Sequence, residues 1–142
     1  MGLFGNFGKK KKLALPSYRE TNHKYNCVAV EVEETEESLS HIDEDFATLV
    51  KADIDNIIAE KFIPWLKCEE FADRDDKLVF EGLRVCSVTY YYYSPSGEGG
   101  FFGRFEFDFV SSSDYTEDML ECVAMEVYIQ NGEVVRVSGF EV

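Results

Sequence analysis

Eight carboxylates, Glu31, Glu33, Glu34, Glu36, Glu37, Asp43, Glu44 and Asp45, stand close together, and no lysine or arginine interrupts them. Such a run has two chemical uses: chelating a hard cation, or holding a cationic macromolecule by its field. A second cluster lies in "TYYYYSPSGEGGFFGRFEFDFV", residues 89–110, where four tyrosines and five phenylalanines flank a glycine-rich turn. Rings on strands either build a core or form a contact surface for a partner. The other reactive groups are sparse: His23, His41 and the cysteines at 27, 68, 86 and 122.

Catalysis finds little support among these groups. Neither histidine lies in a glycine-flanked elbow beside a serine or cysteine, as a nucleophile–base pair on such a turn would. Cys122 follows Asp118 and Glu121, and neighbouring negative charge disfavours a thiolate. No Cys-x-x-Cys occurs, so zinc lacks its usual paired ligands. "DRDD" at 73–76 and "DID" at 53–55 lack the spaced oxygens and the glycine of a calcium loop. "SGEGGFFG" leads into a strand and carries no Lys-Ser/Thr, so it is not a phosphate loop. The chain is read as non-enzymatic, without cofactor or metal, its thiols reduced and mostly buried.

Charge narrows the partner. The 142 residues hold 28 acids against 14 bases, a net charge of −14. Lys9, Lys10, Lys11 and Lys12 hold four of those bases and residues 1–12 hold no acid, so residues 13–142 carry 10 − 28 = −18. Nucleic-acid affinity depends on cations displacing counterions from phosphates. A base-stacking platform on the aromatic hairpin would have Arg104 alone among Glu98, Glu106 and Asp108. Nucleic acid is excluded as a partner; a basic protein is favoured.

The elements that position these residues follow from periodicity. Residues 1–12 read as a flexible basic tail. Its Phe4, Phe7 and Lys9 to Lys12 could touch an anionic membrane marginally and reversibly. That segment runs apolar, then basic, then "LALP", the reverse of a secretory signal, and a cytoplasmic location is expected. Residues 13–142 read as one domain. "YNCVAVEVE" alternates from Tyr25 to Glu33 as a half-buried strand. Ser38 or Ser40 is the expected cap of the helix that follows. Leu39, Ile42, Phe46, Leu49, Val50, Ile54, Ile57, Ile58 and Phe62 recur at helical steps, and Asp45 and Asp55 fall off that stripe. The stripe fits one long helix or two broken near Asp53, ended or kinked by Pro64. Thereafter the text is strand-like, with Asn131-Gly132 as a hairpin turn. Phe105, Phe107 and Phe109 share one face, and the tyrosine run must split, Tyr90 and Tyr92 against Tyr91 and Tyr93.

The stretch "DMLECVAMEVYIQNGEVVRVSGF", with the acidic strand–helix start, resembles small uncharacterised bacterial domains, some found near toxin–immunity loci. The likeness covers about the last third of the chain. Those domains carry Gly-His before the penultimate strand, where this chain has Glu121-Cys122, so no site residue is transferred. The resemblance implies an α+β fold and an immunity role.

The combined expectation is an α+β domain. An antiparallel sheet of about five strands, four of them a C-terminal meander, carries one long or two short amphipathic helices on one face. Its function is that of an acidic, non-catalytic interaction domain, an antidote type that masks a basic partner. Glu33, Glu34, Glu36, Glu37, Asp43 and Glu44 make the electrostatic contact, with Tyr90 and Tyr92 as aromatic anchors. A small-ligand or metal-binding protein, with its pocket between helix and sheet, and peripheral membrane attachment through the tail are the alternatives.

Overall fold

The computed structural model describes residues 18–66, 83–94, 100–110 and 124–138. The tail with Phe4, Phe7 and Lys9 to Lys12, the cysteines at 68 and 122, and the stretches 69–77 and 111–118 lie outside them.

Six strands form one sheet in chain order: β1 (Tyr18–Tyr25), β2 (Val28–Glu33), β3 (Arg84–Tyr93), β4 (Phe102–Val110), β5 (Ala124–Gln130) and β6 (Glu133–Ser138). Strands β3 to β6 are the expected antiparallel meander. Two features differ from expectation. There are six strands, and the sheet is mixed, because β2 runs parallel to β3. A parallel pair needs a long crossover, and the helical segment between the two strands supplies it. The extra strand, β1, forms a hairpin with β2. It went unread because its inward positions include Thr21 and His23, which hydrogen-bond instead of packing as apolar side chains.

Register explains which rings enter the core. Val30 stands beside Val88, Val88 opposite Phe107, and Phe107 opposite Met125. The next inward row is Val32, Tyr90, Phe105 and Val127. All eight side chains are fully buried. Directly paired residues share a face of a pleated sheet, so the phenylalanines are structural.

The described part of the crossover, to residue 66, is helical with a break. α1 (Glu36–Lys51) ends at Ala52, and Asp53 takes a left-handed backbone, φ 54°. Helix then resumes as α2 (Ile54–Ile57), a π-turn (Ile58–Phe62) and α3 (Ile63–Trp65). Pro64 does not stop the helix where it stands: it lies in the first turn of α3, which runs on to Trp65. The ladder widens ahead of it, the Ile63 N–H donating five residues back to Ile58, a turn type that absorbs local conflict within a helix. Ile42, Leu49, Ile54, Phe62 and Leu66 bury against the sheet.

The expectation of mostly buried thiols is corrected for the two described cysteines: Cys27 and Cys86 are free and exposed. Cys27 sits in the β1–β2 turn, where Asn26 and Cys27 take φ of 50° and 68°. The β5–β6 turn has the same signs at Asn131 and Gly132, 54° and 76°, and there glycine occupies the second position. Cysteine in the left-handed region costs about 1–2 kcal/mol that glycine avoids. Cys27→Gly is therefore expected to raise stability by about 1 kcal/mol, measured as a higher urea midpoint at unchanged slope.

Candidate functional site

Thr35, with an extended backbone, caps α1: its side chain accepts the Ser38 N–H at 3.1 Å. Glu36 and Glu37 follow in the first turn, where carboxylates favour the positive end of the helix dipole. Neither Ser38 nor Ser40 is the cap. Ser38 is instead fully buried, and its Oγ accepts the Tyr92 N–H at 3.1 Å. The parallel β2–β3 register ends at Val32 beside Tyr90, and Ser38 takes the next amide on that edge of β3.

Ser38, Ile42, Asp45 and Leu49 are the buried residues of α1. Their steps of four, three and four are those of one helical face. Asp45 is thus an inward residue, 6% exposed, against the expectation that it lies off the stripe. Its Oδ2 accepts the Tyr90 hydroxyl at 2.5 Å. Gly103, paired with Tyr92 across the β3–β4 ladder, leaves room for this bond. A Cβ there would collide with Asp45 Oδ2 and lie 2.8 Å from the Tyr90 hydroxyl oxygen. Burial pushes the Asp45 carboxyl above the usual aspartate range, the Tyr90 hydrogen bond opposes that, and Glu44 adds to it. The Tyr90 hydroxyl is pushed up as well, first by burial and then by Asp45.

Beside this pair lies a cleft of about 370 Å³. His41, Glu44 and Asp45 line it from α1, Tyr92 and Phe101 from the β3–β4 side, and Gln130, Asn131 and Gly132 from the β5–β6 turn. The His41 ring stacks on Tyr92 at 3.9 Å with 3° between planes, and Tyr92 is parallel to Phe101 at 6.0 Å. His41 Nδ1 donates to the Glu37 carbonyl at 2.8 Å, which leaves the neutral ring's Nε2 without its proton. Gln130 Nε2 donates to the Phe101 carbonyl at 3.1 Å and so holds that residue at the rim.

The expected contact residues divide. Glu34, Glu36, Glu37, Asp43 and Glu44 are exposed, and Glu33 is half-buried. Asp43 is also engaged within the chain, bonded to His23 at 2.5 Å. Tyr90 must be withdrawn as an anchor: it is 0% exposed, a core ring bonded to Asp45. Tyr92 is half-buried between His41 and the cleft. Sequence reasoning missed Asp45, Gly103, His41 and Phe101. Gly103 interrupting a strand of rings was the available signal, since an isolated strand glycine marks a close approach.

The other face of the sheet carries Tyr91 and Tyr93, the displayed members of the tyrosine run. Arg104 stands between β3 and β5, its guanidinium 4.4 Å from the Tyr91 ring centroid and bonded to Glu126 at 3.0 Å. Phe102 packs on Tyr93 and Tyr128. These half-buried side chains cover one another, a stabilising cross-strand ladder. A further cleft of about 520 Å³, at the Asn26, Asp55 and Arg84 end of the sheet, has its carboxylate bonded to Tyr25 at 2.5 Å.

Among the described residues, no three His, Cys, Asp or Glu side chains gather as a metal site. None of the described helices is long and apolar enough to cross a membrane. Comparison with family models, curated proteins and solved structures finds no match for this chain.

Three substitutions test the pair. Tyr90→Phe leaves a buried carboxylate without its donor and should cost about 1.5–3 kcal/mol, the worth of a hydrogen bond to a charged group. Gly103→Ala forces Asp45 and Tyr90 apart and should cost about 1–3 kcal/mol. Both are read by urea denaturation. Asp45→Asn keeps an acceptor for Tyr90 and removes the titration. A carboxyl raised in the fold stabilises fully below its unfolded value, and that contribution is lost as pH rises through the folded one. The Asn variant should therefore gain on the parent as pH rises through the carboxylate range, in a difference curve of stability against pH.

Proposed function

We propose that this chain is a non-catalytic, acidic protein-interaction domain that masks a basic protein partner, in the manner of an antidote. The observation that carries the reading is the outward face of α1. Glu36, Glu37 and Glu44 are exposed on a helix whose opposite side is fixed in the core by Ile42, Asp45 and Leu49. Negative charge held on a rigid element steers a cationic partner and sets its register. The half-buried Tyr92 and the exposed Phe101, beside the same helix, add aromatic contact area, the kind that dominates interface energetics.

The disposition of the reactive groups supports the non-catalytic part of this reading. His23 stacks on Phe46 and bonds to Asp43, and His41 stacks on Tyr92 and bonds to the Glu37 carbonyl. Partial burial and then Asp108 push the Cys86 thiol up, away from the thiolate that reacts. Tyr25 and Tyr90 each donate to an aspartate of the helical layer.

The test begins with affinity capture on the immobilised full chain, followed by association kinetics with the captured partner across salt. Binding should weaken steeply with ionic strength. The triple variant Glu36→Gln, Glu37→Gln, Glu44→Gln should slow association at least about tenfold at low salt, while Glu60→Gln, on the π-turn, should not. A partner bound equally well at high salt, or by the triple variant, would contradict the reading.

A further inference from the structure

We propose that the cleft beside α1 receives one arginine side chain of the basic partner, its guanidinium flat against the Tyr92–Phe101 rings and forked to Glu44 and Asp45. This rests on the reading of the acidic face as the partner-binding surface, and names the anchor residue that surface takes.

Three observations converge on that ligand. The first is Asp45, 6% exposed and lining the cleft. Its carboxylate accepts one hydrogen bond among the described residues, from Tyr90 to Oδ2. An ionised carboxylate has about four acceptor sites, and the second Asp45 oxygen is not among the described buried atoms that lack a partner, so it is accessible from the cleft. A ligand with several N–H groups finds an acceptor there. The second is the ring array. His41, Tyr92 and Phe101 lie parallel to within 3° for each neighbouring pair, and Phe101 is 56% exposed. Gln130 holds the Phe101 carbonyl, which fixes the backbone that carries the exposed ring. The third is charge: Glu44 is exposed at the cleft beside the buried carboxylate.

Carboxylates and flat rings together select a planar cation. Guanidinium stacks on aromatic faces, presents five donors in a fixed fork, and is more weakly hydrated than ammonium. Lysine offers the charge without the plane. Citrulline offers the plane without the charge.

The experiment uses the isotope-labelled full chain, titrated at low salt with N-acetyl-arginine amide and its lysine and citrulline counterparts. The arginine probe should shift the His41, Tyr92 and Phe101 resonances saturably. The lysine probe should bind at least several-fold more weakly, and citrulline should cause no saturable shift. Glu44→Gln and Phe101→Ser, both at exposed positions outside the core, should each weaken arginine binding at least fivefold, while Glu60→Gln leaves it unchanged. Equal affinity for lysine, or shifts scattered along α1 without saturation in the cleft, would overturn the proposal. Salt-sensitive capture of a basic protein alongside that result would leave the acidic-surface reading standing and remove only the arginine cleft.

Discussion

A carboxylate placed between a helix and a sheet must be given a donor, and the arrangement of this molecule follows from how that requirement is met. Asp45 receives the Tyr90 hydroxyl. Two exposed aspartates of the helical layer are bonded to the sheet as well, Asp43 to His23 and Asp55 to Tyr25. Each bond joins the helical crossover to a different point on the sheet: β1 twice and β3 once. The Asp45 and Asp43 bonds, together with Ser38 at the Tyr92 amide, set the rotation of α1 about its own axis. That rotation decides which acids point outward. Glu36, Glu37 and Glu44 face solvent because Ser38, Ile42, Asp45 and Leu49 face the sheet. The outward acidic face is thus a consequence of the buried pair, and Gly103 is the concession in the sheet that lets the pair form.

Much of the sheet was legible in the sequence because period-two alternation is a direct imprint of burial. "RFEFDFV" placed Phe105, Phe107 and Phe109 on the core side, and Asn131-Gly132 marked the last hairpin. Strand β1 left no such imprint. Its inward Thr21 and His23 satisfy themselves by hydrogen bonds, and its turn uses Asn26-Cys27, where cysteine disguises a positive-φ position. The parallel pairing of β2 with β3 was equally hidden, since strand direction depends on the crossover and not on either strand's composition.

The site was less legible than the fold. The helical stripe was counted from apolar residues, so Ser38 and Asp45, which complete its inward face, were assigned outward. The tyrosine run showed that two rings must face each way without showing which. Burial of Tyr90 and display of Tyr91 and Tyr93 follow from the inward row through Val32 and Phe105, a register no local pattern encodes. An aspartate four positions after a histidine and a glycine far along the chain become neighbours only through the sheet.

Asp45 is a buried carboxylate held by one tyrosine at the edge of the cleft. Its carbon-detected NMR titration, without and with the arginine probe, tests this most directly. The groups facing it are His41 and Glu44 on α1 and Tyr90 and Tyr92 on β3; the strand and turn residues opposite, Phe101, Gln130 and Asn131, do not titrate. The free protein should show Asp45 losing its proton above the ordinary aspartate range, and bound guanidinium should bring that midpoint down. An ordinary Asp45 midpoint in the free protein, unmoved by the probe, would contradict the account.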